Sequence, residues 1–526
     1  MEEFTAPERA RLAPHFSNVD GPVFALVDLP ETVKGAMFAR YSRYPGTLRR
    51  LFLDEFADSL PQREAHAADD VEGGRAAELF ERIFVGYGDD SVAQLGGAHI
   101  AVEWCSNVLT KLLQRPRLAS YLEQSTRYIA YDAPMPGGGY RYHRDAELGP
   151  EYVASMDALF AAYSEALPRV SAWVDETFPT TPGESEAVRR RAVKAKALDL
   201  LRGLLPAASL SHMGIYASGQ AYEQLIMHLL AHPLPEARVC GQRMLEAVKA
   251  VIPSFVSRIE RPGRGDVWID YLSERRAAER RWAERLGLDR DEAGEARSSV
   301  ELVHVDGDEN RLLAALLFEA AGTPEASALS AVEHLSDDER ARMLADLVGE
   351  RSNRRHRPGR GFEALRYRFE IVSDYGAFRD LQRHRMLTVQ WQPLTPDLGA
   401  EIPEEVADAG CGELYERALE RSRAEYERLR EAGHQEAAPY ALCLGYRIRY
   451  VLDLNAREAM HLTELRSARE GHASYRAVAQ AMHTAIEQRH PAVAATMRYV
   501  DHSSEPRLER ILAEIRGESR RASLTA

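Results

Sequence analysis

The sequence predicts an α+β protein made of two tandem copies, each a small mixed sheet packed with long helices. Three observations support this prediction. An arginine-rich run at 115–128 returns in altered form at 383–388, starting 268 residues later in a chain of 526. Both runs follow an apolar stretch, and each half has a strand-like segment upstream. Self-similarity along a chain indicates a duplicated structural unit.

The elements of the two halves follow the same order. The predicted strand and the helix after it lie at 24–27 and 34–41 in the first half and at 300–303 and 310–319 in the second. The apolar runs predicted as helices, Ala98 to Leu113 and Phe369 to Leu381, end at the arginines. Long helical C-terminal parts follow, in which 201–206 corresponds to 438–443.

The charged segment 286–298 is predicted to link the halves, because acidic residues and glycine interrupt the hydrophobic pattern there. The predicted first domain is therefore 1–285, and the predicted second domain is 299–505. A charged tail at 506–526 is expected to fray.

Composition excludes several classes of protein. With 45% hydrophobic and 28% charged residues the chain is ordinary globular material. No apolar run could cross a bilayer and no signal peptide is evident, so a cytoplasmic protein without a membrane contact is expected. A net charge of −14 disfavours nucleic acid as a partner. The four cysteines form no CxxC pair, which argues against a disulfide scaffold or a structural zinc site.

The arginine motif offers charge-assisted donors suited to phosphate and carbonyl oxygens. It resembles the signature RHRxxSxxExSxRY of the flavin-dependent thymidylate synthases. The first copy matches at Arg115, Arg117, Ser120, Glu123, Ser125, Arg127 and Tyr128, with Pro116 in place of the histidine. The second copy keeps Arg383, His384 and Arg385 and then has Thr388, Trp391, Pro393 and Thr395 where the family has Ser, Glu, Ser and Arg.

Further family positions are divided between the halves. The family's Asn-x-Arg pair for the flavin and its later nucleotide arginine resemble Asn455, Arg457 and Arg466, whereas the first half has Ser218, Gln220 and Leu229. The family's arginine four residues before a proline is kept as Arg202, whereas the second half has Pro439. The family's glutamine three residues before the motif is Leu112 in one half and Asp380 in the other.

These losses are complementary. In the family each active site lies between subunits, so the resemblance implies one composite site per chain, built from both halves. The implied nucleotide ligands are Glu123, Ser125, Arg127, Arg202, Arg383 and Arg466. The implied flavin ligands are Arg383, His384, Arg385, Asn455 and Arg457. The other site, with Arg115 and Arg117 on one side, is expected to have decayed, and no catalytic side chain is singled out.

The resemblance implies reductive methylation of dUMP to dTMP with FAD as cofactor. Methylenetetrahydrofolate would supply the carbon and reduced nicotinamide the electrons. A homodimer forming a four-domain assembly is expected, with the nucleotide as small-molecule partner. The alternative is a noncatalytic flavin- or nucleotide-binding protein derived from the family.

Two other interpretations stay open. The arginine motif alone is also compatible with an amphipathic turn carrying surface ion pairs. The pairs Glu458-x-x-His461 and Glu487-x-x-His490 are the kind that helix bundles use for di-iron sites, but such sites need glutamates from two further helices. We therefore expect no metal. No GxGxxG follows a strand and no P-loop motif is present.

Overall fold

A computed structural model describes residues 4–20, 26–41, 47–58, 60, 92–127, 129–135, 138–288, 296–504 and 507–525. The described residues form two compact units. Unit 1 draws on Met1–Cys105, Leu109–Gln124 and Ser211–Arg290, and unit 2 on Ser106–Val108, Ser125–Leu210 and Asp291–Ala526. Residues 125–210, which the sequence-based boundaries assign to the first domain, thus belong to unit 2. Much of the predicted linker, 289–295, lies outside the described residues.

Helices make up most of the regular structure in the described ranges. Up to residue 290 they are α1 (Ala6–Leu12), α2 (Glu31–Tyr41), α3 (Leu48–Leu51), α4 (Asn107–Leu113), α5 (Gly149–Thr177), α6 (Glu186–Leu201), α7 (Gly219–Leu230), α8 (Pro235–Lys249), α9 (Pro253–Val256) and α10 (Gly265–Arg285). The later helices are α11 (Glu309–Leu317), α12 (Glu325–Glu333), α13 (Asp337–Val348), α14 (Tyr375–Leu381), α15 (Glu404–Asp408), α16 (Gly412–Glu431), α17 (Ala456–Arg466), α18 (Ala473–Arg489), α19 (Pro491–Ala495) and α20 (Ile511–Thr525). None in the described part of the chain is long and apolar enough to span a membrane.

The strands form two sheets. They are β1 (Gly97–Ser106), β2 (Ala119–Glu123), β3 (Leu210–Ser218), β4 (Ser299–Asp306), β5 (Arg366–Asp374), β6 (Leu387–Trp391) and β7 (Arg447–Asn455). The first sheet has the order β1-β3-β2 and the second the order β4-β5-β7-β6. The pairings β2–β3, β4–β5, β5–β7 and β6–β7 are antiparallel, where the sequence predicts mixed sheets.

The strand after each arginine motif shows the duplication most clearly. Ala119 of β2 faces Ala217 of β3, and Leu387 of β6 faces Leu454 of β7. These four residues occupy equivalent places in the two halves, so the register is identical. The α+β class with two tandem copies is thereby confirmed. Each copy runs strand, short helix, arginine motif, strand, and later a central strand leading into a helix.

The sequence-based helices before the arginines are partly wrong. Residues 98–106 and 369–374 lie in β1 and β5, and the helices begin only at Asn107 and Tyr375. The supposedly helical C-terminal parts contain the central strands β3 and β7. In β7 alternate residues, from Ile448 to Leu454, are buried, which is the period of a strand with one covered face. A short apolar run does not distinguish a strand from a buried helix, so pairing decides.

The upstream predictions are confirmed for α2, β4 and α11, and the first predicted strand is not seen as a strand in its described part. The predicted segment 300–303 lies in β4, and 310–317 lies in α11. The predicted helix 34–41 lies in α2. Of the predicted strand 24–27, positions 24 and 25 lie outside the described residues, and Leu26 forms an isolated bridge with Phe16.

The core of unit 2 lies between its sheet and α18. The inward side chains of β5 and β7, such as Phe369, Ile371 and Leu452, are fully buried. Met482 and Ile486 of α18 are buried as well, and α18 packs on β4 and β5. This packing holds the start of α18 beside the end of β5, where the site residues gather.

Candidate functional site

Nine of the ten predicted site residues belong to unit 2, and Glu123 belongs to unit 1. Glu123 ends β2, and its side chain is buried. Its Oε2 accepts hydrogen bonds from Lys111 Nζ at 3.2 Å and from Gln114 Nε2 at 2.8 Å. Within unit 1 this carboxylate is therefore part of a buried ion pair. Tyr128 of the motif lies outside the described residues.

Arg127 is fixed by a carboxylate of α6. Its Nε and Nη2 each donate to Asp199 at 2.6 Å, and its Nη1 donates to the hydroxyl of Tyr475 at 3.1 Å. Burial opposes the charge, but Asp199 outweighs it and raises the pKa of Arg127. The backbone N–H of Arg127 donates to Ser125 Oγ at 3.2 Å. A bidentate pair of this kind holds the guanidinium plane in one orientation.

Arg202 follows α6 directly and has donors to spare. Its Nη1 donates to Asp380 Oδ2 at 3.2 Å, and its Nη2 lies 3.7 Å from Asp374 Oδ1. The side chain is 4% exposed, and its Nε and Nη2 have no hydrogen-bond partner in the described residues. Buried donors without acceptors are costly, so a ligand with acceptor atoms would complete this group.

Asp380 of α14 lies at the centre of the predicted nucleotide arginines. Arg383 Nη1 lies 3.6 Å from its Oδ1, in addition to the contact with Arg202. Burial would raise the pKa of Asp380, but Arg383, Arg202, Arg466 and Arg127 together hold it well below its usual range. Arginines from both halves of the sequence thus surround one ionised carboxylate inside unit 2.

A hydrogen-bonded chain ties α17 to the motif. Arg466 Nε donates to His384 Nε2 at 3.0 Å, and His384 Nδ1 lies 2.7 Å from Glu458 Oε1. The Arg466 guanidinium lies 5.6 Å from the ring centre of Tyr475, and the Arg127 guanidinium lies 5.8 Å from the same centre. Tyr475 therefore contacts two of the four arginines by cation–π interaction.

The predicted flavin residues lie around Glu458. Burial raises the pKa of Glu458, and His461, Arg357, Arg457 and Arg385 oppose this rise only in part. Arg457 Nε donates to the carbonyl of Pro358 at 3.0 Å. Asn455 ends β7 and caps α17, because its Oδ1 accepts from the backbone N–H of Glu458 at 2.9 Å.

His384, Glu458 and His461 each bring a possible metal ligand to within 4.8 Å of one another. The arginines oppose a metal ion here. A histidine that binds a metal through one nitrogen carries a proton on the other, which cannot accept a hydrogen bond. Yet His384 Nε2 accepts from Arg466, and Arg357 Nη2 lies 3.0 Å from His461 Nδ1. We describe the group as an arginine-bound network and assign no metal to it.

The sequence reasoning did not find the partners of the arginines. In unit 2 they are Asp199 and Tyr475 for Arg127, and Asp374 and Asp380 for Arg202. His472 and Ser474 bond in turn to Asp199 and Asp374. Asp380 was noticed only as a substitution for the family's glutamine. The sequence feature that indicates this partner is a carboxylate three residues before an arginine, a spacing at which the two charges can pair.

The predicted decayed positions hold weaker groups. Arg115 and Arg117 of unit 1 are exposed. Gln220 accepts a hydrogen bond from Gln94 at 2.8 Å, and Ser218 only caps α7. In unit 2, Trp391 packs its ring against Phe378 at 5.6 Å. These positions serve packing and capping in the described residues.

Fold and site together define a duplicated α+β protein with a buried arginine cluster suited to an anionic ligand. The model of the family "Thymidylate synthase complementing protein" matches the chain twice, over residues 46–254 and 302–492. The chain belongs to this family, and the two matches coincide with its two copies.

Known proteins resemble the chain over nearly its full length or over part of it. A "UPF0159 protein" of Chlamydia muridarum is 37% identical over 530 residues, covering 99% of this chain and 98% of that protein. The "Flavin-dependent thymidylate synthase" of Pyrococcus furiosus is 30% identical over 112 residues, which are 18% of this chain and 46% of that protein. A solved structure of the UMP/dUMP methylase PolB from Streptomyces cacaoi, bound with 5-Br dUMP, matches 40% of this chain and 99% of that one, at 20% identity and a TM-score of 0.33.

Proposed function

We propose that this protein is a flavin-dependent thymidylate synthase with one working site per chain. It would methylate dUMP reductively to dTMP, with methylenetetrahydrofolate as carbon donor and reduced nicotinamide as electron source. Family membership and the partial match to a flavin-dependent thymidylate synthase support this reaction class.

The observation that carries the proposal is the set of open donors around Asp380. Among the described residues, Nε and Nη2 of Arg202 have no hydrogen-bond partner, and Arg466 uses only its Nε in a hydrogen bond. Guanidinium donors that converge in a buried place match the phosphate and the base oxygens of a nucleotide. Arg127 and Arg383 add positive charge to the same place.

The residues predicted for the flavin fit an anionic cofactor. Arg383 and Arg385 are exposed at the end of α14, and Arg385, Arg457 and Arg357 lie near Glu458. These guanidiniums would hold the cofactor's phosphates, while the free amide hydrogens of Asn455 would orient it. Positive charge there also favours a reduced, anionic flavin. When bound, reduced flavin supplies the hydride that completes the new methyl group.

The cysteines fit a reaction without a thiolate nucleophile. Burial raises the pKa of Cys240 and of Cys443 to about 12. Burial also raises the pKa of Cys105 and Cys411 above the usual thiol range. A protonated buried thiol is a poor nucleophile, so the chain relies on its bound ligands for the chemistry.

A noncatalytic flavin- or nucleotide-binding protein is the second candidate. Glu123 favours it, because its carboxylate is already paired with Lys111 inside unit 1. Colour distinguishes the two. A yellow protein that loses its absorbance with reduced nicotinamide, and forms dTMP from dUMP and methylenetetrahydrofolate, is the enzyme. A protein that binds dUMP and forms no dTMP is the module, and growth of a thymidine-requiring host provides the same test in cells.

One variant pair tests the nucleotide site. Arg466→Gln removes an open charged donor and should weaken dUMP binding by about 2 kcal/mol, the usual cost of a charged hydrogen bond. Isothermal titration calorimetry measures this change. Arg469→Gln is the control, because Arg469 pairs with Asp501 and its side chain is 59% exposed. Equal affinities for all three proteins would contradict the assignment.

A further inference from the structure

We infer that Glu458 and His384 position Arg466, so that these three side chains act as one unit in ligand binding. The inference deepens the proposed function, and its ligand-binding part rests on that function. It gives His384 a role beyond the flavin contact implied by the family resemblance. It also gives a role to Glu458, which no motif singled out for the ligands.

The hydrogen bond from Arg466 determines which ring nitrogen of His384 is protonated, and therefore which atom donates to Glu458. Arg466 Nε can only donate, so His384 Nε2, 3.0 Å away, must be the acceptor. The proton of the neutral ring is then on Nδ1. Nδ1 lies 2.7 Å from Glu458 Oε1 and donates to it. Glu458 thus selects the one tautomer of His384 that can receive Arg466.

Burial makes this selection strict. The side chain of His384 is 3% exposed and that of Glu458 is 5% exposed, so water does not replace either partner. In the other tautomer, the Nε2–H of His384 would face the Nε–H of Arg466, which leaves two buried donors without acceptors. Burial, together with Arg466 and Arg357, lowers the pKa of His384 well below its usual value. The ring therefore stays neutral and keeps its acceptor.

The hydrogen bonds through His384 and Glu458 hold the Arg466 guanidinium at its Nε. Neither terminal nitrogen of Arg466 donates a hydrogen bond to the described residues, and the guanidinium lies over the Tyr475 ring. Burial lowers the pKa of Arg466, and the negative charge of Asp380 partly offsets this effect. A planar donor held at one edge presents its other edge to a ligand at little entropic cost.

The first copy of the repeat provides an internal comparison. The residues equivalent to His384, Glu458 and Arg466 are Pro116, Ala221 and Leu229. All three members are absent together from the half that has also lost the Asn-x-Arg pair. This pattern is expected if the three side chains serve one purpose and none is useful alone.

Variants of Glu458 test the inference by ligand affinity. Glu458→Gln keeps an oxygen acceptor for Nδ1–H, so its affinity for dUMP should stay within about twofold of the wild type, while Glu458→Leu should bind roughly tenfold more weakly. Glu487→Gln, an exposed carboxylate on α18, is the control and should change nothing. Thermal unfolding of each variant checks that the fold persists. Equal weakening in the Gln and Leu variants would overturn the positioning role.

A second readout does not depend on the proposed function. In ¹⁵N-histidine-labelled protein without nucleotide, the His384 signal, identified by its loss in His384→Gln, should show a protonated Nδ1 and an unprotonated Nε2. Glu458→Leu should shift this signal towards the other tautomer. A wild-type ring protonated at Nε2 would overturn the inference. If the wild type binds no dUMP but shows the expected tautomer, the proposed substrate fails and the positioning chain stands.

Discussion

Asp380 shows how this molecule keeps four arginines together. Three buried carboxylates, Asp199, Asp374 and Asp380, lie among the guanidiniums of the cluster. Buried charges persist only when they are paired, and removal of one partner is far more costly than the net worth of the pair. The cluster therefore keeps a small positive excess, which a phosphate would neutralise.

Asp374 gives a prediction about pH. Burial raises its pKa to about 6, with Glu401 and Asp380 adding to the rise and Arg202 opposing it. At a pH between the ordinary pKa and the raised pKa, Asp374 is protonated in the folded state and ionised in the unfolded state. Its contribution to stability is present at low pH and is lost as the pH rises through the folded value. The free energy of unfolding of Asp374→Asn should therefore rise by roughly 3 kcal/mol relative to that of the wild type as the pH goes from about 4 to about 7.

Urea unfolding at several pH values measures this gain. Asn can still accept from the N–H of Ala377, so the cap of α14 is kept. Asp501→Asn is the control: burial raises its pKa, but Ser503 and Arg469 bring it down to about 2. That contribution is constant over the same interval and is lost only in stronger acid. Parallel stability curves for Asp374→Asn and the wild type would show that Asp374 is ionised throughout.

At the scale of elements, short helices are anchored by polar caps at the site. Asp374 caps α14, and Asn455 caps α17. Ser218 performs the same task for α7 in the first copy. Each cap is the last residue of a sheet strand, so the sheet fixes where the helix begins and which side chains it presents.

Asn455 separates capping from ligand binding. Asn455→Ser should keep the stability of the fold, since Ser218 already caps the equivalent helix, but should weaken flavin binding through loss of the amide donors. Asn455→Ala should lose flavin affinity and also about 1 kcal/mol of stability. Flavin fluorescence and urea unfolding measure the two effects. Full flavin affinity in the Ser variant would remove Asn455 from the cofactor site.

The sequence predicted elements unevenly, for a physical reason. Segments such as 34–41 and 300–303 have enough local pattern to be read correctly. The sequence predicts helix across the central strands β3 and β7, because the segments around them are helical, although the burial in β7 alternates clearly. The site arginines are implied by the resemblance of their motifs to those of the family. Their partners, such as Asp199 and Tyr475, are distant in sequence and meet Arg127 only through tertiary packing.

At the scale of the whole molecule, the two copies are unequal. Unit 2 contains all the predicted ligand residues except Glu123, including Ser125, Arg127 and Arg202 from the first half of the sequence. Apart from Arg115 and Arg117, the residues of the second predicted site, among them Trp391 and Gln220, offer packing surfaces and amides in place of guanidiniums. The predicted homodimer stays a prediction, and sedimentation of the purified protein would test it.

This inequality predicts one flavin and one nucleotide per chain of 526 residues. At the other set of positions a phosphate would meet Arg115 and Arg117, both exposed, in place of the four arginines of the cluster. Titration of apoprotein with FAD, followed by dUMP, measures both numbers. Arg457→Gln, which introduces the residue found at position 220, should abolish the flavin signal entirely. A stoichiometry of two would refute the complementary losses.

The membership of residues 125–210 in unit 2 has a consequence for how the protein works when it is scarce. Where separate subunits complete a site, dilution separates them and activity per subunit falls. Here Arg127 and Arg202 share a polypeptide with Arg466, so dilution does not separate them. The fused gene product would therefore need no second molecule to bring these arginines together, and a few copies in a cell would suffice.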